Sequence, residues 1–258
     1  MGKVRWRWML ALLLLGLALG LLLSSCGGGG DDDSGDDDDA ADDDTGDDDT
    51  GDDDWGDWWP PEEGLTVVYD VQEWTGAHYD AEVKVLGDDE FNGETYTKIE
   101  MGDFEAQDIM GFHGWFDFST PGEIGFAGAE IYWWNAKDDT EPDGIFNLDE
   151  PVYIFVNRTL NEPKTDSADG TWTIWGNPTS FHVELTSETV DLDATVTVPY
   201  GTVEHCVRVD VDIHEEFGDY PDFDGNASFY FHKELGFVKI EGANLMGFSL
   251  QLKEFREE

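Results

Sequence analysis

Residues 190–213 read VDLDATVTVPYGTVEHCVRVDVDI. Val190, Leu192, Ala194, Val196 and Val198 recur at every second position, with Asp191, Asp193, Thr195 and Thr197 between them. After Pro199-Tyr200-Gly201 the rhythm resumes: Val203, Val207, Val209, Val211 and Ile213 alternate with Glu204, Arg208, Asp210 and Asp212. A period of two places alternate side chains on opposite faces of a strand. The stretch therefore predicts a β-hairpin with one buried face and one wet face. His205 falls in phase with the apolar set and is expected in the core. Cys206 is expected to point outward. His214-Glu215-Glu216 is expected to end the strand on its wet side, where one histidine and two acids make a poor zinc site.

Working outward, similar runs occur at 65–71, 79–85, 181–185, 229–231, 237–240 and 248–252. Gly, Asp and Pro separate them, and no amphipathic helix of three turns interrupts. The predicted fold is all-β: an antiparallel curved sheet, half-barrel or barrel-like, with a sandwich as the alternative. Residues 60–258 would form this single domain, long enough to bury one sizeable core.

The N-terminus is built differently. Lys3, Arg5 and Arg7 precede an uncharged run from Trp8 to Leu23 that is short for a membrane span, which takes about 20 residues. Basic start, apolar middle and small residues at the end mark a secretory signal over 1–25. Leu23-Ser24-Ser25-Cys26 resembles the lipobox of bacterial lipoproteins. That resemblance implies that the Cys26 thiol carries diacylglycerol, becomes the mature N-terminus and anchors the chain in a membrane. Gly27 follows, so the aspartate that retains such proteins at the inner membrane is missing. The resemblance thus implies a cell-envelope protein, outer-membrane in a Gram-negative cell.

Residues 26–59 form a linker of glycines followed by an acidic run. Seventeen of the residues from 31 to 59 are aspartate, and none is basic or a large aliphatic. Such a segment buries too little apolar surface to offset its ordering entropy, and its charges extend it, so it is expected to be a disordered tether. In some bacteria an acidic stretch after a lipidated cysteine also serves as a signal for surface display.

A second resemblance lies at the other end of the chain. VPYGTVEHCVRVDVDIHEEF, ASFYFHKELGFVKIEG and MGFSLQLKEF are similar to the closing strands of β half-barrel domains in uncharacterised bacterial lipoproteins. Tyr200-Gly201-Thr202 and Gly236-Phe237-Val238-Lys239 carry the pattern. The likeness covers about 150–255 and brings no catalytic residue with it. It implies a curved sheet whose concave apolar face holds a lipid or acyl ligand.

The formal net charge is −47. A phosphate backbone needs a basic footprint, so nucleic acid is excluded as a partner. The acidity fits either cation binding or adaptation to high salt. With only Cys26 and Cys206 present, the exported domain has no internal disulfide.

Two acidic stretches are candidates for calcium. Asp139, Glu141, Asp143, Asn147 and Glu150 occupy liganding positions of a twelve-residue calcium loop, with Gly144 at the sharp turn. Strand-like flanks argue against an EF-hand and leave a calcium loop between strands or a plain solvated loop. Asp219, Asp222 and Asp224 cluster before Gly225, which is also an ordinary turn signal. No nucleophile motif such as Gly-x-Ser-x-Gly occurs, and carboxylate pairs are too abundant here to be informative. The sequence therefore points away from an enzyme. It favours a noncatalytic binding module for an apolar ligand, or a calcium-stabilised module that meets an extracellular or carbohydrate partner. Trp115, Trp172, Trp175 and the run Tyr132-Trp133-Trp134 would fill the core or pave such a surface.

Overall fold

Twelve strands form wherever apolar side chains recur at alternate positions. They are β1 (Thr66–Gln72), β2 (His78–Phe91), β3 (Glu94–Met101), β4 (Gly111–Asp117), β5 (Glu123–Tyr132) and β6 (Gly144–Phe155), then β7 (Lys164–Ile174), β8 (Asn177–Val198), β9 (Gly201–Glu216), β10 (Phe223–His232), β11 (Gly236–Glu241) and β12 (Ser249–Arg256). The structure, a computed structural model, describes residues 62–72, 78–102, 111–132, 141–156, 159–218, 222–242 and 249–256. The signal segment, Cys26 and the acidic tether lie outside the described residues. Each strand pairs antiparallel with its neighbours in sequence, and β1 pairs with β12 to close a barrel. Of the two expected architectures, the barrel is the one that forms.

The hairpin read from the sequence is β8 and β9, joined by Pro199-Tyr200 with Val198 opposite Gly201. Its inner face holds Val196, Val198, Val203, Val207, Val209, Val211 and Ile213, all buried. Strict alternation fails in its middle, because the pairing slips between Thr189 and Val196 and His205 takes a left-handed φ of 58°. A bulge adds a residue and reverses the phase beyond it. His205 is consequently exposed and pairs with Asp193 at 2.6 Å, while Cys206 is fully buried. Both expectations are corrected by this one irregularity. Burial also pushes the Cys206 thiol up to about 12, so it is not a thiolate at neutral pH. Leu192, expected inside, is exposed for the same reason.

A wide barrel is filled here by large side chains. An eight-stranded barrel has just enough interior for its side chains, and the diameter grows with strand number. In this chain, aromatic clusters occupy the added width. Tyr69, Phe229, Phe231 and Phe237 pack at centroid spacings of 5.9–6.4 Å. Phe146, Trp172, Phe181 and Phe217 form a second group at 3.9–5.9 Å. Phe116 with Phe118 and Phe126 forms a third. On ten of the twelve strands at least one side chain, such as Val83, Ile99, Val152, Leu185, Phe231 or Leu252, has no exposure at all. The lumen is a core.

The outer wall is polar. Along β9 it carries Glu204, Arg208, Asp210, Asp212, His214 and Glu216. A membrane-spanning barrel presents the opposite arrangement, with an apolar band outside and a polar interior. The outer face of β9 is built for water.

One part of the wall carries a second layer. Asn92 and Gly93, both at positive φ, turn β2 into β3. The hairpin leans over the barrel, so that Phe91 stacks on Trp115 at 4.4 Å and Lys98 sits 4.9 Å above the same indole. The Asn92 side-chain amide donates to Asn147 Oδ1 on β6. Gly128 leaves room for this lid of aromatics: a Cβ there would stand 2.5 Å from both Phe146 O and the Phe91 ring. Gly128→Ala is expected to lower stability by about 1–3 kcal/mol, an overpacking cost. Urea denaturation checks it, and an unchanged midpoint would mean that the hairpin does not rest there.

Candidate functional site on the outer wall and far end

The chain reaches β1 and leaves β12 at one end of the barrel, which is also the end of the 92–93, 199–200 and 233–235 turns. The far end holds the β7–β8 turn, the start of β6 and the β9–β10 connection. Asp143 and Asp224, one from each acidic candidate stretch, lie toward this far end.

The described residues of the first stretch do not converge on one point. Asp139 lies outside the described residues. Beyond Asp143 the chain is strand β6 rather than a loop, because Gly144, Phe146 and Leu148 alternate inward and pair with β5 and β7. At about 3.3 Å per residue, Asp143 and Glu150 are separated by about 23 Å of extended chain. Asn147 is spent on Asn92, and Glu141 is exposed before the strand. Asp143 instead accepts the indole N–H of Trp175 at 3.3 Å, and its carbonyl receives the Trp175 backbone N–H at 3.0 Å. Trp175 sits in the β7–β8 turn at φ 45° and is 59 % exposed. A tryptophan held in left-handed backbone and presented to solvent was not legible in the sequence.

The second stretch contributes one residue to a real depression. Asp219 lies outside the described residues and Asp222 is exposed ahead of β10. Asp224 opens outward from β10 and pairs with His214 Nδ1 at 2.8 Å. Register places Glu184, His214 and Asp224 side by side across β8, β9 and β10, with Thr186, Asp212 and Asn226 in the next row. Together with Ile213 and Gly225 they line a hollow of about 250 Å³ on the outer wall. Among the described residues, no three His, Cys, Asp or Glu side chains converge as metal ligands. The hollow is rich in acceptors. It suits a ligand that presents hydroxyl or ammonium donors. Asp224 first and then Glu216 hold the His214 imidazole in its charged form and raise its pKa.

Glu215 is the residue that sequence reading misplaced. It is not on the wet side. It points into the barrel with no exposure, and neither carboxylate oxygen has a hydrogen-bond partner among the described residues. Its phase with Val209, Val211 and Ile213 was the available signal. Burial alone drives its pKa well above the ordinary carboxylate range.

A further polar group lies on the outer wall of β3, β4 and β5. His113 Nε2 is 3.2 Å from Glu100 and Nδ1 is 3.6 Å from Glu130, which also accepts the Tyr132 hydroxyl at 2.9 Å. Burial disfavours the imidazolium, but Glu100 and Glu130 outweigh it and raise the His113 pKa. A raised value means that its stabilisation is complete below the unfolded pKa of about 6.5 and is lost as pH rises through the folded one. His113→Gln is expected to cost about 1–2 kcal/mol at pH 6 and progressively less above pH 7. Thermal melts of both proteins across that range check it; a cost independent of pH would contradict the charged pairing.

Comparison with solved structures finds two chains of similar shape. One is a putative exported protein with YmcC-like fold from Bacteroides fragilis, 13 % identical, with a TM-score of 0.48 over 77 % of this chain and 98 % of that one. The other is a putative lipoprotein from Parabacteroides distasonis, also 13 % identical, with a TM-score of 0.45 over 77 % and 97 %. No protein-family model and no curated protein matches the sequence.

Proposed function

We propose that the chain is a lipid-anchored protein of the bacterial cell envelope whose barrel is a noncatalytic binding module working through its outer surface. Three features support the parts of this reading: the Cys26 motif for the anchor, the aspartate run for a tether, and the filled interior for surface action. The single observation that carries the last point is that ten of the twelve strands each turn at least one side chain with no exposure into a lumen packed with aromatic rings. A concave face that stored an acyl chain would leave such side chains in contact with an emptied cavity. The expected acyl-carrier role is therefore set aside in favour of the outer hollow beside His214 and the exposed Trp175.

The ligand class that fits the hollow is polyhydroxylated, since Glu184, Asp212, Asp224 and Asn226 accept hydrogen bonds there; the exposed ring of Trp175 lies apart from it, at the β7–β8 turn. This keeps the carbohydrate-binding alternative and places it on the wall. Outer-membrane placement, in a Gram-negative cell, is part of the same proposal. The anchor is tested by metabolic labelling with an alkynyl fatty acid: label on the wild type and none on Cys26→Ser supports it, and equal labelling contradicts it. The surface is tested on a glycan array with wild type and Asp212→Ala/Asp224→Ala. Wild-type binding lost in the double variant supports the hollow, and binding that survives places the site elsewhere.

A further inference from the structure

Glu215 lies near the end of β9, opposite Val183 on β8 and Phe223 on β10. On its own strand the inward neighbour is Ile213, and Phe217 follows beyond the strand end. The adjacent inward positions carry Trp172, Phe181 and Leu185. None of these side chains titrates or offers a charge. Among the described residues of β7–β10 near this end, the charged groups Asp169, His182, Glu184, Asp212, His214, Glu216 and Asp224 belong to the outer face, where His182 pairs with Asp169 and His214 with Glu216 and Asp224. Among the described residues, a carboxyl is thus enclosed by hydrocarbon and aromatic rings without a hydrogen-bond partner.

We propose that Glu215 is a proton-operated latch: the far end of the barrel closes over the neutral acid and opens when the acid ionises. The physical reason is solvation. A carboxylate without partners is far costlier to bury than a carboxylic acid, so ionisation must be accompanied by access to water. The nearest route to water is short. Phe223 beside it is only half-buried, and the β9–β10 connection begins at Phe217, two residues on. Fraying the last pairs of β9 with β8 and β10 hydrates Glu215 while the valine rows deeper in the barrel stay closed.

The sign follows from linkage. The closed form holds the proton more tightly than the open form, where Glu215 titrates near its ordinary value of about 4.3. Between that value and its raised value in the closed barrel, each pH unit shifts the balance toward the open form by up to about tenfold. Below that window the latch is fully shut. The outcome is an end that tightens in acid and loosens toward alkaline pH, opposite to the usual behaviour of surface carboxylates in ion pairs.

Hydrogen exchange by mass spectrometry on the full chain between pH 5.5 and 9, corrected for base-catalysed intrinsic exchange, tests this. The expected result is protection at 181–185, 211–217 and 223–227 that falls by up to about tenfold per pH unit, with no such loss at the near-end segments 66–69 and 252–256. Glu215→Gln, neutral at every pH, should flatten the far-end profile. Equal slopes in wild type and variant, or equal slopes at both ends, would overturn the proposal. Should the variant fail to fold, carbon-13 carboxyl titration of the wild type decides. A Glu215 resonance still protonated at pH 7 supports the latch, and one titrating near 4.3 overturns it.

Discussion

Phe237→Ala is expected to lower the stability of the barrel by about 3–5 kcal/mol, the range for truncating a buried phenylalanine in a packed core. Phe237 is wholly buried and meets Tyr69, Phe229 and Phe231, and its carbonyl accepts the Tyr69 hydroxyl at 3.2 Å. The neighbours come from β1 and β10, so the void would lie among strands on both sides of the β1–β12 seam. Chemical denaturation with a shared slope measures the loss. A cost under about 1 kcal/mol would mean that the rings line a space able to adjust, as a ligand cavity does.

The second large effect has the opposite sign. Glu215→Met keeps an unbranched side chain of similar length and removes the buried acid. At pH 8 the variant is expected to be more stable than the wild type by about 1–3 kcal/mol, the cost of a buried polar group without a partner. The folded pKa of Glu215 is raised, so the wild type is most competitive below about pH 4.3 and loses ground as pH rises toward the folded value. The advantage of methionine should accordingly shrink in acid. Parallel melts at pH 4.5 and pH 8 provide the check; a variant less stable at both would show that Glu215 has a structural partner.

Much of this fold was legible in the alternation. Val207, Val209, Val211 and Ile213 point inward as their spacing demands, and Pro199-Tyr200 makes the turn. What escaped was local irregularity. The bulge that exposes His205 and buries Cys206 leaves no mark in a pattern of apolar and polar letters, because it depends on pairing with β8. Glu215 escaped for another reason: in the triplet His214-Glu215-Glu216, chemical likeness to its neighbours outweighed its phase with the valines. Asn92-Gly93 is a strong hairpin signal, yet where its hairpin would lean is a tertiary matter.

The candidate site was less legible. Asp143, Asn147 and Glu150 match a calcium loop by spacing, but in so acidic a chain carboxylates meet many spacings by chance. The strand pattern of Gly144, Phe146 and Leu148 is the stronger local signal, and it prevailed. Asp224 enters the outer hollow only because β9 and β10 register it beside His214. Its partners Glu184 and Asp212 lie 40 and 12 residues away in sequence and share no motif with it.

We propose a solid barrel that acts from its surface. Native mass spectrometry of the chain lacking residues 1–26, purified from cells, tests it most directly. The account predicts the mass of the bare polypeptide, apart from inorganic ions. An additional species in the lipid mass range, bound without covalent linkage and released on denaturation, would contradict it.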